Sequence, residues 1–149
     1  MQTAQTDHAE RQRWMQILAR AGQDLHGYGD TLRSYAFRHV RQPETGMVMV
    51  RGRMGGNGAP FNLGEMCVTR CVVQLQDGTT GYSYVAGRSS EHAELAAVAD
   101  ALLQSADGSR WQAELIGPLQ ALQHARAALR DSQAAATRVD FTTLVRGED

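Results

Sequence analysis

Lysine is missing from this chain. All fifteen basic side chains among its 149 residues are arginine. Schiff-base and lysine-nucleophile chemistry are therefore excluded. Arginine keeps its charge and presents a planar fork that suits phosphate or carboxylate, although genomic codon bias would give the same composition. A formal net charge of −1 leaves no basic excess. A sequence-independent nucleic-acid binder needs such an excess to neutralise phosphates, so that class is excluded as well. Cysteine is scarce, with only Cys67 and Cys71. On a strand, residues four apart point the same way but lie about 13 Å apart, too far for a disulfide. They read as free thiols of a reducing compartment. Long apolar runs are also lacking. None reaches the roughly 18 residues of a membrane span, and the opening MQTAQTDHAERQRW has no signal-peptide core. A cytoplasmic protein is the resulting expectation.

The composition that remains is globular, at 42% hydrophobic and 21% charged residues, which suits a packed core rather than disorder. The length predicts one domain over residues 1–149. Asp7 can cap a first helix, with Glu10 at the capping-box position. Trp14, Ile17, Leu18 and Ala21 recur at helical spacing, and Gly22 ends the pattern. Leu25, Tyr28 and Leu32 suggest a weaker second helix, interrupted by Gly27 and Gly29. Residues 36–42 read as a strand, Pro43–Gly46 as a turn, and Met47–Arg53 as a half-buried strand. Residues 66–76 form another strand, with Cys67, Thr69, Cys71, Val73 and Leu75 on one face. Asp77-Gly78 is a hairpin signal, and the return strand runs over 79–86. Ser89 or Ser90 then caps a helix over 91–104, with Leu95, Val98, Ala99 and Leu102 inward. Gly117-Pro118 opens a last long helix. The order predicts an α+β fold: a mostly antiparallel sheet with a hairpin, flanked by N-terminal and C-terminal helices.

Three groupings carry possible chemistry. His92-Ala93-Glu94 at a helix start has the His-x-Glu form of zinc deaminases, in which His holds metal and Glu shuttles protons. A stand-alone zinc-dependent deaminase or hydrolase using His92 and Glu94 is thus one reading. The Pro-Cys-x-x-Cys that completes such sites is absent, and His8, His26, His39 and His124 have no ligand spacing. Ser83, Ser89 and Ser90 lie near His92, but no Gly-x-Ser-x-Gly elbow accompanies them. The loop Arg53-Met-Gly-Gly-Asn-Gly58 offers backbone N–H groups to an anion, with Arg53, Arg70 and Arg88 flanking. It is equally a strand connection with Gly55 and Gly56 at positive φ. A homo-oligomeric binder of a phosphorylated metabolite is the corresponding reading. The tail is apolar at Val139, Phe141, Leu144 and Val145, with Arg146 beside them. It can pack on its own domain or add to a partner's sheet.

A longer series of short pieces runs through the chain in order: R-Q-R-W-M-x-I-L-A from Arg11, ETG at Glu44–Gly46, RMGG at Arg53–Gly56, and F-x-x-G-E from Phe61. Val68-Thr-Arg70, DGT-x-GYSYV-x-GR from Asp77, HAE at His92–Glu94 and RVDFTTLVRG from Arg138 follow. In this series the chain resembles the PhnG subunit family of the bacterial carbon–phosphorus lyase system. The resemblance implies a non-catalytic or co-catalytic subunit with no cofactor of its own, placed beside PhnH-, PhnI- and PhnJ-like subunits and a PhnL-like ATP-binding-cassette protein. It implies support for making alpha-D-ribose 1-methylphosphonate 5-triphosphate from ATP and methylphosphonate. The nucleosidase step would belong to PhnI. The iron–sulfur, S-adenosylmethionine-dependent cleavage would belong to PhnJ. No catalytic residue is implied in this chain. Arg53, Gly55, Gly56, Arg70, Arg88, His92, Glu94, Phe141 and Arg146 are the candidate anion or interface contacts.

Overall fold

A computed structural model describes residues 8–139. Helices α1 (His8–Ala21), α2 (Gln23–His26) and α3 (Gly29–Arg33) lead into strands β1 (Phe37–Arg53), β2 (Pro60–Leu75) and β3 (Thr80–Ala86). Helices α4 (Ser90–Gln104), α5 (Gly108–Trp111) and α6 (Gly117–Ala136) follow, with a π-turn at Gln112–Ile116 joining the last two. The sheet has three strands in the order β1-β2-β3, both pairings antiparallel. This is the expected antiparallel α+β fold with flanking helices.

The first helix buries the four residues that its spacing selects, Trp14, Ile17, Leu18 and Ala21. Gly22, at φ 52°, ends it. Gly27 and Gly29 divide the weaker second segment into α2 and α3, which bury Leu25 and Leu32. Asp77-Gly78 makes the β2–β3 hairpin: Gly78 takes φ 87°, and the Thr79 N–H donates to Asp77 Oδ1 at 2.8 Å. Ser89, rather than Ser90, caps α4, its Oγ accepting from the His92 N–H at 3.2 Å.

Three expectations need correction. The strand expected over residues 66–76 begins earlier, at Pro60, because its first residues pair with the end of β1. Pro43–Gly46 is not a turn, because β1 runs unbroken for 17 residues from Phe37 to Arg53. The register instead slips at His39/Arg41 and Arg41/Glu44. β1 is an edge strand, and a proline without a ladder donor is tolerated there and at bulges. Helix α4, expected to bury one stripe, is buried almost all round, including Ala93, Ala96, Ala97, Ala99 and Ala101. Small residues let it sit in the centre of the fold, against β2 and β3 on one side and α1, α2, α3 and α5 on the others.

The closest approach is at Gly81 on β3. A Cβ there would meet the carbonyl oxygen of Ala97, and would lie 2.6 Å from the backbone nitrogen of Ala101. Backbone does not yield as a flexible side chain does. Gly81→Ala is therefore expected to cost about 1–3 kcal/mol, the usual range for overpacking. Urea denaturation checks this, and an unchanged midpoint would mean that α4 lifts off β3 without penalty.

Candidate functional site

The core uses only part of the sheet. Val68, Thr69, Cys71, Val73 and Leu75 of β2 and Ser83 and Val85 of β3 are buried. Strand β1 contributes no fully buried residue anywhere along its length. The facing half of β2 contributes none before Val68. β3 ends opposite Val68. Beyond that point β1 and β2 continue as a two-stranded arm, closed by a 3-10 turn at Met54–Gly56. Gly55 at φ 60° and Gly56 at φ 83° make that turn, in the left-handed region that costs an L side chain about 1–2 kcal/mol.

The arm is rich in exposed apolar groups. Met47, Met49, Met54, Phe61 and Leu63 are all exposed, Leu63 at 66% and Met54 at 74%. The face of the sheet turned away from α4 adds Met66, Tyr82 and Tyr84, with Arg11 of α1 over the Tyr82 ring. A two-stranded ribbon is at best marginally stable in water. Exposed apolar side chains gathered on one projecting element suit an interaction surface, and methionine adapts readily to a partner's contours.

The candidate residues fall at separate places. Arg53 stands at the arm tip and donates to the Gly58 carbonyl at 3.2 Å. Arg70 lies on the face turned away from α4, 3.8 Å from Glu44. Arg88 follows β3, its Nε 3.4 Å from Cys67 Sγ. The Arg53 and Arg70 positions lie about 30 Å apart along the strands, so these arginines do not form one anion cradle with Gly55 and Gly56. Phe141 and Arg146 lie outside the described residues, which end at Val139, itself exposed.

His92 and Glu94 do not work as a pair. His92 is buried, and its Nε2 lies 2.8 Å from the Leu18 carbonyl oxygen, so it joins α4 to α1. Glu94 faces elsewhere: one carboxylate oxygen accepts from Arg33 Nε at 3.3 Å and the other lies 2.9 Å from His39 Nε2. With both oxygens engaged, Glu94 braces α3, α4 and β1. The zinc reading loses its geometry here. Among the described residues no three His, Cys, Asp or Glu side chains converge as ligands. The His39–Glu94 contact was not legible in the sequence, because it spans two elements far apart in the chain.

The two cysteines also differ. Cys71 is fully buried and donates through Sγ to the Arg41 carbonyl at 3.4 Å. Burial first, and the Glu94 charge second, push its thiol up to about 11. Cys67 is half-buried beside Arg88. At pH 8 the native protein is expected to show one fast-reacting thiol, lost in Cys67→Ser, with the second appearing only on denaturation. Two fast thiols would mean that the sheet opens around Cys71.

A family model described as "Phosphonate metabolism protein PhnG" matches residues 9–147, nearly the whole chain. The chain belongs to the PhnG family. A relative from Rhizobium meliloti (strain 1021), "Alpha-D-ribose 1-methylphosphonate 5-triphosphate synthase subunit PhnG", is 48% identical over 110 residues, covering 74% of this chain and 70% of the relative. The PhnG match takes in the arm as well as the core. Among the described residues no helix is long and apolar enough to cross a membrane.

A second feature of this PhnG chain went unnoticed in the sequence. Arg13 and Arg20 of α1 and Arg126 and Arg130 of α6 line one groove with His124. The residues come from opposite ends of the chain, and their helical spacings were the one available signal.

Proposed function

We propose that this chain is a non-catalytic or co-catalytic subunit of an alpha-D-ribose 1-methylphosphonate 5-triphosphate synthase, working in phosphonate catabolism in the cytoplasm. The observation that carries the reading is the 48% identity to a synthase subunit of that name over 74% of the chain. The geometry supports it: an apolar arm stands outside the core, and the residues with catalytic promise are spent on internal braces. Its partners are PhnH-, PhnI- and PhnJ-like subunits and a PhnL-like ATP-binding-cassette protein. ATP is the substrate of the assembly, and an iron–sulfur cluster and S-adenosylmethionine belong to the PhnJ-like partner. The chain itself supplies surface.

The test is reconstitution. The purified chain, incubated alone with ATP and methylphosphonate, should release no adenine. Co-expressed with the partner subunits it should co-purify with them, and adenine release should depend on its presence. Turnover by the isolated chain, or full activity of the assembly without it, would overturn the reading.

A further inference from the structure

The groove between α1 and α6 concentrates positive charge in a chain whose net charge is −1. It has a volume of about 520 Å³ and carries no carboxylate in its lining. Ile17 forms part of its wall, and two contacts fix its sides: Arg13 Nη2 donates to Gln120 Oε1 at 2.8 Å and Gln123 Nε2 donates to the Ile17 carbonyl at 2.9 Å. The two helices are thus held at a set spacing rather than splayed.

The four arginines are not equivalent. Arg126 is committed to Asp24, its Nη2 lying 2.9 Å from Asp24 Oδ1. That hydrogen bond is the main cause holding the Asp24 carboxyl below its ordinary range. Arg13, Arg20 and Arg130 have no carboxylate within ion-pair distance among the described residues. Arg126 and Arg130 lie one turn apart on α6, an arrangement that destabilises a helix when both are charged. Arg13 and Arg20 lie two turns apart on α1 and face the same groove. Like charges brought together from two helices repel, and Asp24 answers only Arg126, so nothing in the lining itself relieves the rest of that repulsion. A bound polyanion would. Guanidinium forks match phosphate oxygens, and charge-assisted bonds of this type are among the strongest a surface can make.

We propose that the α1–α6 groove is a binding site for the polyphosphate group of an organic triphosphate, with Arg20 and Arg130 as its principal contacts and Arg13 and His124 beside them. The choice of triphosphate over other anions rests on the synthase reading above, since the product named for the relative carries one. The site is built from this chain's own residues, so it can be tested without partners.

The probe is inorganic triphosphate, titrated calorimetrically into the full chain at fixed ionic strength, with sulfate as the control anion. Saturable binding at one site per chain is expected, with sulfate far weaker. Arg20→Gln with Arg130→Gln should weaken it by at least about tenfold, the loss expected for two charge-assisted contacts. Both side chains are exposed, so the fold should persist, which far-ultraviolet circular dichroism verifies. No saturable binding by the wild type, equal binding by the double variant, or equal affinity for sulfate would each overturn the proposal. Co-purification of the double variant with the synthase subunits separates the two readings. A variant that assembles but no longer binds triphosphate supports the site. A variant that fails to assemble, from a wild type that binds no triphosphate, would make the groove a protein contact instead. Triphosphate binding by a chain that never joins a synthase would leave the groove standing and remove the subunit.

Discussion

Asp100→Ala is expected to destabilise the isolated chain by about 3–5 kcal/mol, the summed cost of leaving several of its donors unpaired. Asp100 sits in α4 with no solvent exposure. Its Oδ1 accepts from Trp14 Nε1 at 2.8 Å, and its Oδ2 accepts from Arg11 Nη2 at 2.8 Å. The same Oδ2 accepts the Tyr82 backbone N–H at 2.9 Å and Gln104 Nε2 at 3.2 Å. One carboxylate therefore ties α1 to α4 and satisfies a donor on β3, the edge strand opposite β1. Alanine would leave the Trp14 and Tyr82 donors without that acceptor, and each unpaired buried donor costs about 1–3 kcal/mol. Asn at this position is expected to recover little, because its amide would turn a donor toward other donors. Arg11→Met should cost less than either, since Arg11 is partly exposed and can be replaced by water. Trp14→Phe should fall between, losing one bond and some volume. Against a typical total of about 5–15 kcal/mol, the alanine variant would be largely unfolded at moderate denaturant. Urea titrations of the four variants check the order. A loss under about 1 kcal/mol for Asp100→Ala would mean that water replaces the carboxylate and that the hub is not structural.

The sequence revealed this fold unevenly, for physical reasons. Periodicity located α1, because a helix against a core must repeat its apolar residues, and Trp14 to Ala21 do so. Asp77-Gly78 located a hairpin because positive φ demands glycine. Pro43 misled, because proline punctuates most strands yet is harmless at an unpaired edge. Asp100 was invisible, since an acid among alanines looks solvent-facing until Arg11, Trp14 and Tyr82 arrive from other elements. For the same reason His92 and Glu94 looked like a couple: adjacency in sequence suggested a shared task. On a helix, residues two apart point in different directions, and the fold sends one to Leu18 and the other to Arg33 and His39. The groove arginines needed α1 and α6 side by side. The arm was half legible, since the alternation over Met47–Arg53 was plain but what faced it was not.

Met49→Asp combined with Leu63→Asp should leave the isolated chain about as stable as wild type, yet abolish its capture by the other synthase subunits. Both side chains lie on the arm and are more than half exposed, at 55% and 66%. Substitutions at such positions usually change folding stability by no more than about 0.5 kcal/mol. The arm has no other element of this chain packed over it to transmit a larger effect, since β1 buries nothing fully. Binding is another matter. If the partner covers the arm, each aspartate would be forced into an apolar contact without a counter-charge, a penalty of several kcal/mol. Two such penalties would weaken assembly by more than about a hundredfold, enough to lose the chain from an affinity-purified complex. Methionine at Met49 and leucine at Leu63 would regain it when restored singly only if one of them dominates, which separates a central anchor from a rim contact. Undisturbed assembly of the double variant would place the interface elsewhere. Loss of folding in the isolated chain would show that the arm is held by its own domain. Concentration-dependent self-association of the wild type, removed by the same changes, would assign the arm to a second copy of this chain rather than to another subunit.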